Sequence, residues 1–293
     1  MGGHGRTRRR PVDPDLKTRS QDNRSHRGAE GGDTLRPRRL SPGWLPEKSM
    51  RRVLIVMAKD PRPGLAKTRL IPAIGATAAA GLYRAFLRDV LDTSALVRAE
   101  RWVCAYPPES VARVAELAEG RFQVRPQVGP TLSERMVAAF ADGFAAGAEA
   151  VVMRNSDSPT LPAVVVAEAF DRLERGADVV LGPDLGGGYY LAGLRAPRPE
   201  LFRGFAMSTS SVLDETLRRA RDAGLATATL RRWLDIDTGQ DLAALQRQLA
   251  DGADPERADC PRTEAFLATL PAWRAAPGKS VPAGRSPAAE PGG

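Results

Sequence analysis

The sequence predicts a single α/β domain: a mainly parallel, doubly wound sheet with helices on both faces. Three observations carry that expectation. Short apolar runs alternate with amphipathic helical patterns along the chain. The first run, VLIVMA at 53–58, is continuously apolar, as a strand covered on both faces must be. The segments rich in Gly, Pro and charge fall directly after such runs, where open α/β sheets bind ligands.

The elements follow in order. A helix is expected over 76–97 (ATAAAGLYRAFLRDVLDTSALV), then a strand at RWVCAY, a helix at ESVARVAELAE, a short strand at FQVRPQ and a helix at SERMVAAFADGFAAG. A strand AVVMR precedes a helix beginning near Pro162, and DVVLGP and YYLAGLR read as two further strands. The segment DLAALQRQL reads as a helix with Thr238 placed to cap it. No repeat of fixed period interrupts this pattern.

The fold is expected to occupy residues 50–274 of the 293. Residues 1–49 are rich in Gly, Pro, Arg, Ser and Asp and lack periodic apolar positions, so they are expected to be a disordered basic extension. Met50 stands immediately before the first strand and reads as a plausible translation start. Residues 275–293, Pro-, Gly- and Ala-rich, are expected to be a disordered tail.

Composition narrows the function classes. The formal charge is +8, but residues 1–49 hold 12 Lys and Arg against 6 Asp and Glu, or +6, leaving about +2 for the rest. With neither interleaved aromatics nor a recognisable module, nucleic-acid binding is not expected. No apolar run approaches the roughly 20 residues that span a bilayer, so a cytoplasmic protein without a membrane partner is expected. His4 and His26 both lie in the extension, which removes histidine-based catalysis from the folded part. Cys104 and Cys260 lack zinc-type spacing and read as ordinary thiols.

Four segments can carry chemistry. In AKDPRPGLAKTRL, Lys59, Arg62, Lys67 and Arg69 fall within eleven residues, with Gly64 able to take a positive φ and prolines stiffening the loop. Such density suits a pyrophosphate or triphosphate without a Walker motif; the plain alternative is a solvated basic loop. In NSDSPTLP, Asp157 leaves a buried strand between Ser156 and Ser158 and can hold magnesium, or else cap the following helix. In WLDIDTGQDL, Asp235 and Asp237 alternate along an extended segment and are expected on opposite faces, leaving Asp237 as the second metal contact. In GPDLGGGYYLAGLR, Gly186, Gly187 and Gly188 allow close backbone approach, with Tyr189 or Tyr190 able to stack or hydrogen-bond; a mobile hairpin is the alternative.

Together these four motifs resemble the DUF2064 family, often named rSAM/selenodomain-associated transferase 1, of the GT-A glycosyltransferase-like superfamily. The resemblance spans about residues 52–245, and every fixed position of the family's AKxPxPGxxKTRL pattern is present from Ala58 to Leu70. It implies a nucleotide-diphospho-sugar transferase fold, with the nucleotide under the first loop. Lys59, Arg62, Gly64, Lys67 and Arg69 would bind its phosphates, and Ser158 and Tyr189 would shape the pocket. Asp157 and Asp237 would hold Mg²⁺ or Mn²⁺. The chain departs from the family at Asn155, Gly186 and Met207, where Gly, Asp and Trp are usual; Asp184 is the candidate to replace the acid absent at Gly186. The catalytic set is then Lys67, Asp157 and Asp184. The implied reaction is glycosyl transfer from a nucleoside-diphosphate sugar to a small acceptor. The first loop also resembles nucleotidyltransferases, including the guanylyltransferases of deazaflavin cofactor synthesis, which makes nucleotidyl transfer with pyrophosphate release the competing reaction; a non-catalytic nucleotide sensor is the third.

Overall fold

The computed structural model describes residues 50–207, 209–251 and 256–271. The extension at 1–49 and the tail at 275–293 lie outside the described residues, and with them the disorder expected there.

The strands are β1 (Arg52–Lys59), β2 (Glu100–Tyr106), β3 (Gln123–Pro126), β4 (Ala150–Arg154), β5 (Val179–Pro183), β6 (Tyr189–Leu194) and β7 (Thr227–Thr229). The helices are α1 (Ile71–Ile74), α2 (Ala76–Ala95), α3 (Val111–Ala118), α4 (Leu132–Ala145), α5 (Ala163–Glu174), α6 (Val212–Asp222), α7 (Gly239–Asp251) and α8 (Pro261–Leu267). One sheet of order β3-β2-β1-β4-β6-β5-β7 contains all seven strands. Every pairing is parallel except those of β6, which runs antiparallel to both β4 and β5. The expected α/β architecture is therefore present, together with α1, α6, β7 and α8, which the sequence patterns did not single out. No described helix is long and apolar enough to cross a membrane.

The apolar run of β1 is explained by its two coverings. Val53 and Ile55 face a core formed with Met136 and Phe140 of α4 and Leu213 of α6. Leu54 faces α5, and Val56 and Ala58 face Leu87, Val90 and Leu91 of α2. Successive side chains thus serve opposite layers, the doubly wound arrangement. Helix α4 begins with a capping box in which Thr131 and Glu134 each satisfy the other's backbone N–H.

A separate core cluster brings distant segments to one end of the sheet. Ala66 and Leu70 from the first loop pack with Leu82, Tyr83 and Phe86 of α2, with Leu234 and Ile236, and with Leu245 of α7. Full burial of Leu70 and Ile236 is worth about 1.5–3 kcal/mol each. Their burial fixes where the polar neighbours Lys67, Asp235 and Asp237 must emerge.

Segment 231–237 is tied to the sheet by more than apolar packing. The Tyr190 hydroxyl donates to the Arg231 carbonyl at 2.8 Å, and Trp233 N–H donates to the Pro183 carbonyl at 3.0 Å. The Tyr190 ring passes across Gly182, where a Cβ would lie 2.4 Å from a ring carbon. Gly182→Ala should therefore lower stability by about 1–3 kcal/mol. It should appear in urea unfolding as a lower midpoint with unchanged slope; an unchanged midpoint would mean that the ring is free to move.

Candidate active site

The carboxyl ends of β1 and β4 carry the two loops singled out in the sequence, and the 233–237 segment closes over them. Ile236 N–H donates to the Asp157 carbonyl at 3.1 Å, which joins the third motif to the second. Carboxylate oxygens of Asp157, Asp235 and Asp237 all lie within 4.8 Å of one another. The expectation that Asp235 and Asp237 face opposite ways is overturned. Side chains two residues apart in extended chain share a face, and it is Ile236 between them that turns into the core.

Lys67 sits inside this acidic cluster. Its Nζ lies 2.6 Å from Asp157 Oδ1 and 2.8 Å from Asp237 Oδ1, and the residue is 7% exposed. Its backbone adopts φ 51°, a left-handed conformation unusual for a side-chain-bearing residue, between the buried anchors Ala66 and Leu70. Burial opposes its charge, yet the three carboxylates, Asp157 foremost, raise its pKa above the ordinary lysine value. Lys67 thus points to carboxylates, whereas the sequence reading had it gripping phosphate.

The three acids are unlike one another. Burial, and next the charge of Asp157, push the Asp235 carboxyl well above the ordinary carboxylate value, and its Oδ1 is buried without a hydrogen-bond partner. Burial alone would also raise Asp237, but the Lys67 ammonium, with Arg69 and Lys59 beyond it, holds it below the ordinary value. Arg69 Nη1 stands 3.7 Å from Asp237 Oδ2. An open hollow of about 560 Å³, lined by Arg69, Pro72, Ala73, Thr238, Gly239 and Gln240, adjoins that pair. Hard oxygen donors at this spacing, one of them an orphaned buried oxygen, suit a divalent metal.

The backbone under Asp157 is held from several sides. Asn155 Oδ1 accepts from Asp157 N–H at 3.3 Å. The Ser156 hydroxyl meets the Tyr83 hydroxyl at 2.7 Å and donates to the Met57 carbonyl at 2.9 Å. The Tyr83 hydroxyl also accepts from Lys59 N–H at 2.7 Å, so one buried phenol ties the β1 loop to the β4 loop. Below them Arg154, fully buried, donates to the carbonyls of Asn155 and Ser158. Burial lowers its pKa to about 10. Neither Tyr83 nor Arg154 carries a signal in the sequence, since each sits inside a run that reads as core.

Asp157 does not cap the following helix: Pro162 occupies the N-cap of α5 and no side chain bonds there. Other predicted site residues fall into two groups. Lys59, Arg62 and Arg69 are exposed at the rim, and Gly64 has φ +82° with open space around it. Two expectations of a pocket lining are corrected. Ser158 is fully buried because its segment folds inward over Arg154. Tyr189 packs with Met207 against the α4 and α6 layer, its hydroxyl buried, because strand alternation at the start of β6 turns it into the core. Asp184 lies in the glycine turn, where its Oδ1 accepts from Gly186 N–H at 2.7 Å and Gly188 N–H at 2.8 Å.

The sheet is a mainly parallel α/β fold of the nucleotide-diphospho-sugar transferase type, with the carboxylate triad at the carboxyl ends of its strands. The chain belongs to the DUF2064 family: residues 90–209 match the family model described as "Uncharacterized protein conserved in bacteria (DUF2064)". That segment includes the Asp157 loop and the glycine turn, and excludes the Lys/Arg loop and Asp235–Asp237. The structure is similar to a Desulfovibrio desulfuricans G20 protein provisionally assigned as a nucleotide-diphospho-sugar transferase, with 31% identity, 74% of this chain and 94% of that chain covered, and a TM-score of 0.68. More distant likenesses include a Leptospira borgpetersenii cytidylyltransferase (11% identity, 75% and 93% covered, TM-score 0.47). Another is a Mycobacterium tuberculosis glucosyl-3-phosphoglycerate synthase solved with Mn²⁺ and UDP (17% identity, 69% and 77% covered, TM-score 0.45). No curated protein matches the sequence.

The raised pKa of Asp235 has a pH signature in the metal-free protein. Below about pH 4 the carboxyl is protonated in both folded and unfolded chains and costs nothing. As pH rises, the unfolded chain ionises first, so stability falls until the folded-state pKa is passed. Asp237, held low, works in the opposite sense, stabilising above about pH 4 and losing that contribution in acid. Asp235→Asn should therefore melt above the wild type at pH 8 in EDTA, with the gap closing toward pH 4; an Asn variant less stable at pH 8 would contradict this.

Proposed function

We propose that this protein is a metal-dependent transferase that moves a glycosyl group from a nucleoside-diphosphate sugar to a small acceptor. The observation that carries the reading is the convergence of Asp157, Asp235 and Asp237 on Lys67 at the carboxyl ends of β1 and β4. The likeness to the Desulfovibrio protein at 31% identity supports a nucleotide-sugar donor.

Asp157 and Asp237, with Asp235 as the third donor, would hold Mg²⁺ or Mn²⁺. Such an ion supplies Lewis-acid neutralisation of the diphosphate oxygens. The chain's own groups then have distinct tasks. As the bond from the anomeric carbon to the diphosphate breaks, negative charge collects on the leaving nucleoside diphosphate. The exposed Lys59 and Arg69 would meet that charge, and cations aimed at developing charge are strong contributors to rate. Lys67 keeps the carboxylates of Asp157 and Asp237 together before any ligand arrives. Asp184 has one oxygen committed to the Gly186 and Gly188 amides, leaving Oδ2 to accept a hydrogen bond from an acceptor hydroxyl and take its proton.

Purified protein with Mn²⁺ or Mg²⁺, offered nucleotide sugars and small hydroxylated acceptors, should release nucleoside diphosphate. Asp157→Ala should lower turnover by about 10²–10³-fold or more. Asp184→Asn should lower kcat by about 10²–10⁴-fold while leaving donor KM unchanged. Release of pyrophosphate from a nucleoside triphosphate would replace this reading with nucleotidyl transfer, and tight binding without turnover would make the protein a sensor.

A further inference from the structure

A second cationic arrangement stands on the same rim, away from the carboxylate triad. Asp60, the residue after β1, is fully buried although it carries a carboxylate. Its Oδ2 is 2.6 Å from Arg62 Nε, and Arg113 Nη1 lies 3.3 and 3.4 Å from its two oxygens. Arg62 comes from the β1 loop and Arg113 from the first turn of α3, which follows β2; β1 and β2 are neighbours in the sheet. Asp60 N–H also donates to the Tyr106 carbonyl at 2.8 Å, so the carboxylate is anchored by backbone across both strand ends.

The charges do not balance. One carboxylate compensates one guanidinium. Two arginines are recruited, leaving a net positive charge. Each side chain is 46% exposed despite its anchor. Arg62 spends its Nε edge on Asp60, and no described group accepts from its Nη1 or Nη2; Arg113 likewise keeps Nη2 and Nε. A guanidinium has five N–H donors in a planar fork. Here two forks are fixed from behind by the same buried anion, with their unused donors toward solvent. A third cation, Arg135, lies 4.2 Å over the ring of Tyr106.

We propose that Arg62 and Arg113, held by Asp60, form an anion site for a phosphate group. Paired, pre-oriented guanidiniums match tetrahedral phosphate oxygens bidentately, and their rotamer entropy is already spent in the ion pairs with Asp60. The site needs no metal, because its cations are covalently part of the chain. It deepens the transferase reading, since the phosphate belongs to the donor or to a phosphorylated acceptor, yet it stands independently of the Asp157 cluster.

The test is calorimetric titration of the full chain with inorganic pyrophosphate in EDTA, where the metal reading plays no part. Wild type and Asp157→Asn should both bind. Arg62→Met and Arg113→Met should each weaken binding tenfold or more, with Arg113→Lys, which keeps the charge but loses the fork, in between. Melting curves identify any variant that fails to fold, and Arg113→Lys keeps the ion pair for that case. Repeating the titration with a nucleoside diphosphate and with a sugar phosphate assigns the source: the ligand whose affinity falls on Arg113→Met is the one whose phosphate sits there. No binding to wild type, or equal binding to wild type and the Arg62→Met/Arg113→Met double variant, overturns the proposal.

Discussion

The ion cluster of Lys67 with Asp157 and Asp237, extended by Asp235, is the interaction on which the site depends. Three acids within 4.8 Å of one another, two of them bonded to one cation, would repel more strongly without it, and like charges at that spacing in a partly buried place are costly. Lys67 relieves this repulsion from inside the fold. It reaches the cluster only because Ala66 and Leu70 fix the loop on either side and force the left-handed backbone at position 67. The apolar cluster beneath the loop is therefore as much a part of the site as the charges above it. Loss of packing at Leu70 or Ile236 would move the carboxylates before it unfolded the sheet.

That dependence explains how three motifs far apart in sequence act as one. The β1 loop brings Lys67, the β4 loop brings Asp157, and the segment after β7 brings Asp235 and Asp237. Ile236 joins the last to the second by its N–H bond to the Asp157 carbonyl, and Tyr83 joins the first to the second through Lys59 and Ser156. The Tyr83–Ser156 bond is buried and the Tyr83–Lys59 bond partly so, which limits competition from water. The side chains of Lys59, Arg62 and Arg69 stay exposed at the rim, Arg62 held by Asp60 and Arg69 beside Asp237.

Much of this was legible in the sequence, for reasons that are physical. β1, β4 and β5 announced themselves because a strand covered on both faces is apolar along nearly all its length, and Asp157 stood out because it follows such a strand. What stayed hidden was whatever depends on long-range geometry. Strand β7 is three residues long with no apolar face to read, and α6 carries more charge than apolar residues. Tyr83 reads as one more apolar position of α2, and Arg154 as the end of a strand; their roles exist only once β1, β4 and α2 are side by side. The misplacement of Asp235 has a different cause. The period-of-two rule was available and, applied with i and i+2 on one face, puts both acids toward Asp157.

The two charged groups on the rim solve the same problem with opposite signs. At the triad, Asp157 and Asp237 share one buried ammonium with Asp235 beside them, leaving net negative charge that a divalent cation suits. At Asp60, two guanidiniums share one buried carboxylate, leaving net positive charge that an anion suits. In both, the buried member holds the exposed members still and the surplus faces outward. Ligand binding at either place then changes little in the protein, because the ordering entropy has been met on folding. A metal-binding pole and a phosphate-binding pole on adjacent strand ends would together take up a charged, extended ligand. Neither pole alone dictates which bond is broken. In the transferase reading proposed above, that choice would fall to Asp184, one of whose oxygens is bound by the glycine turn while the other is not.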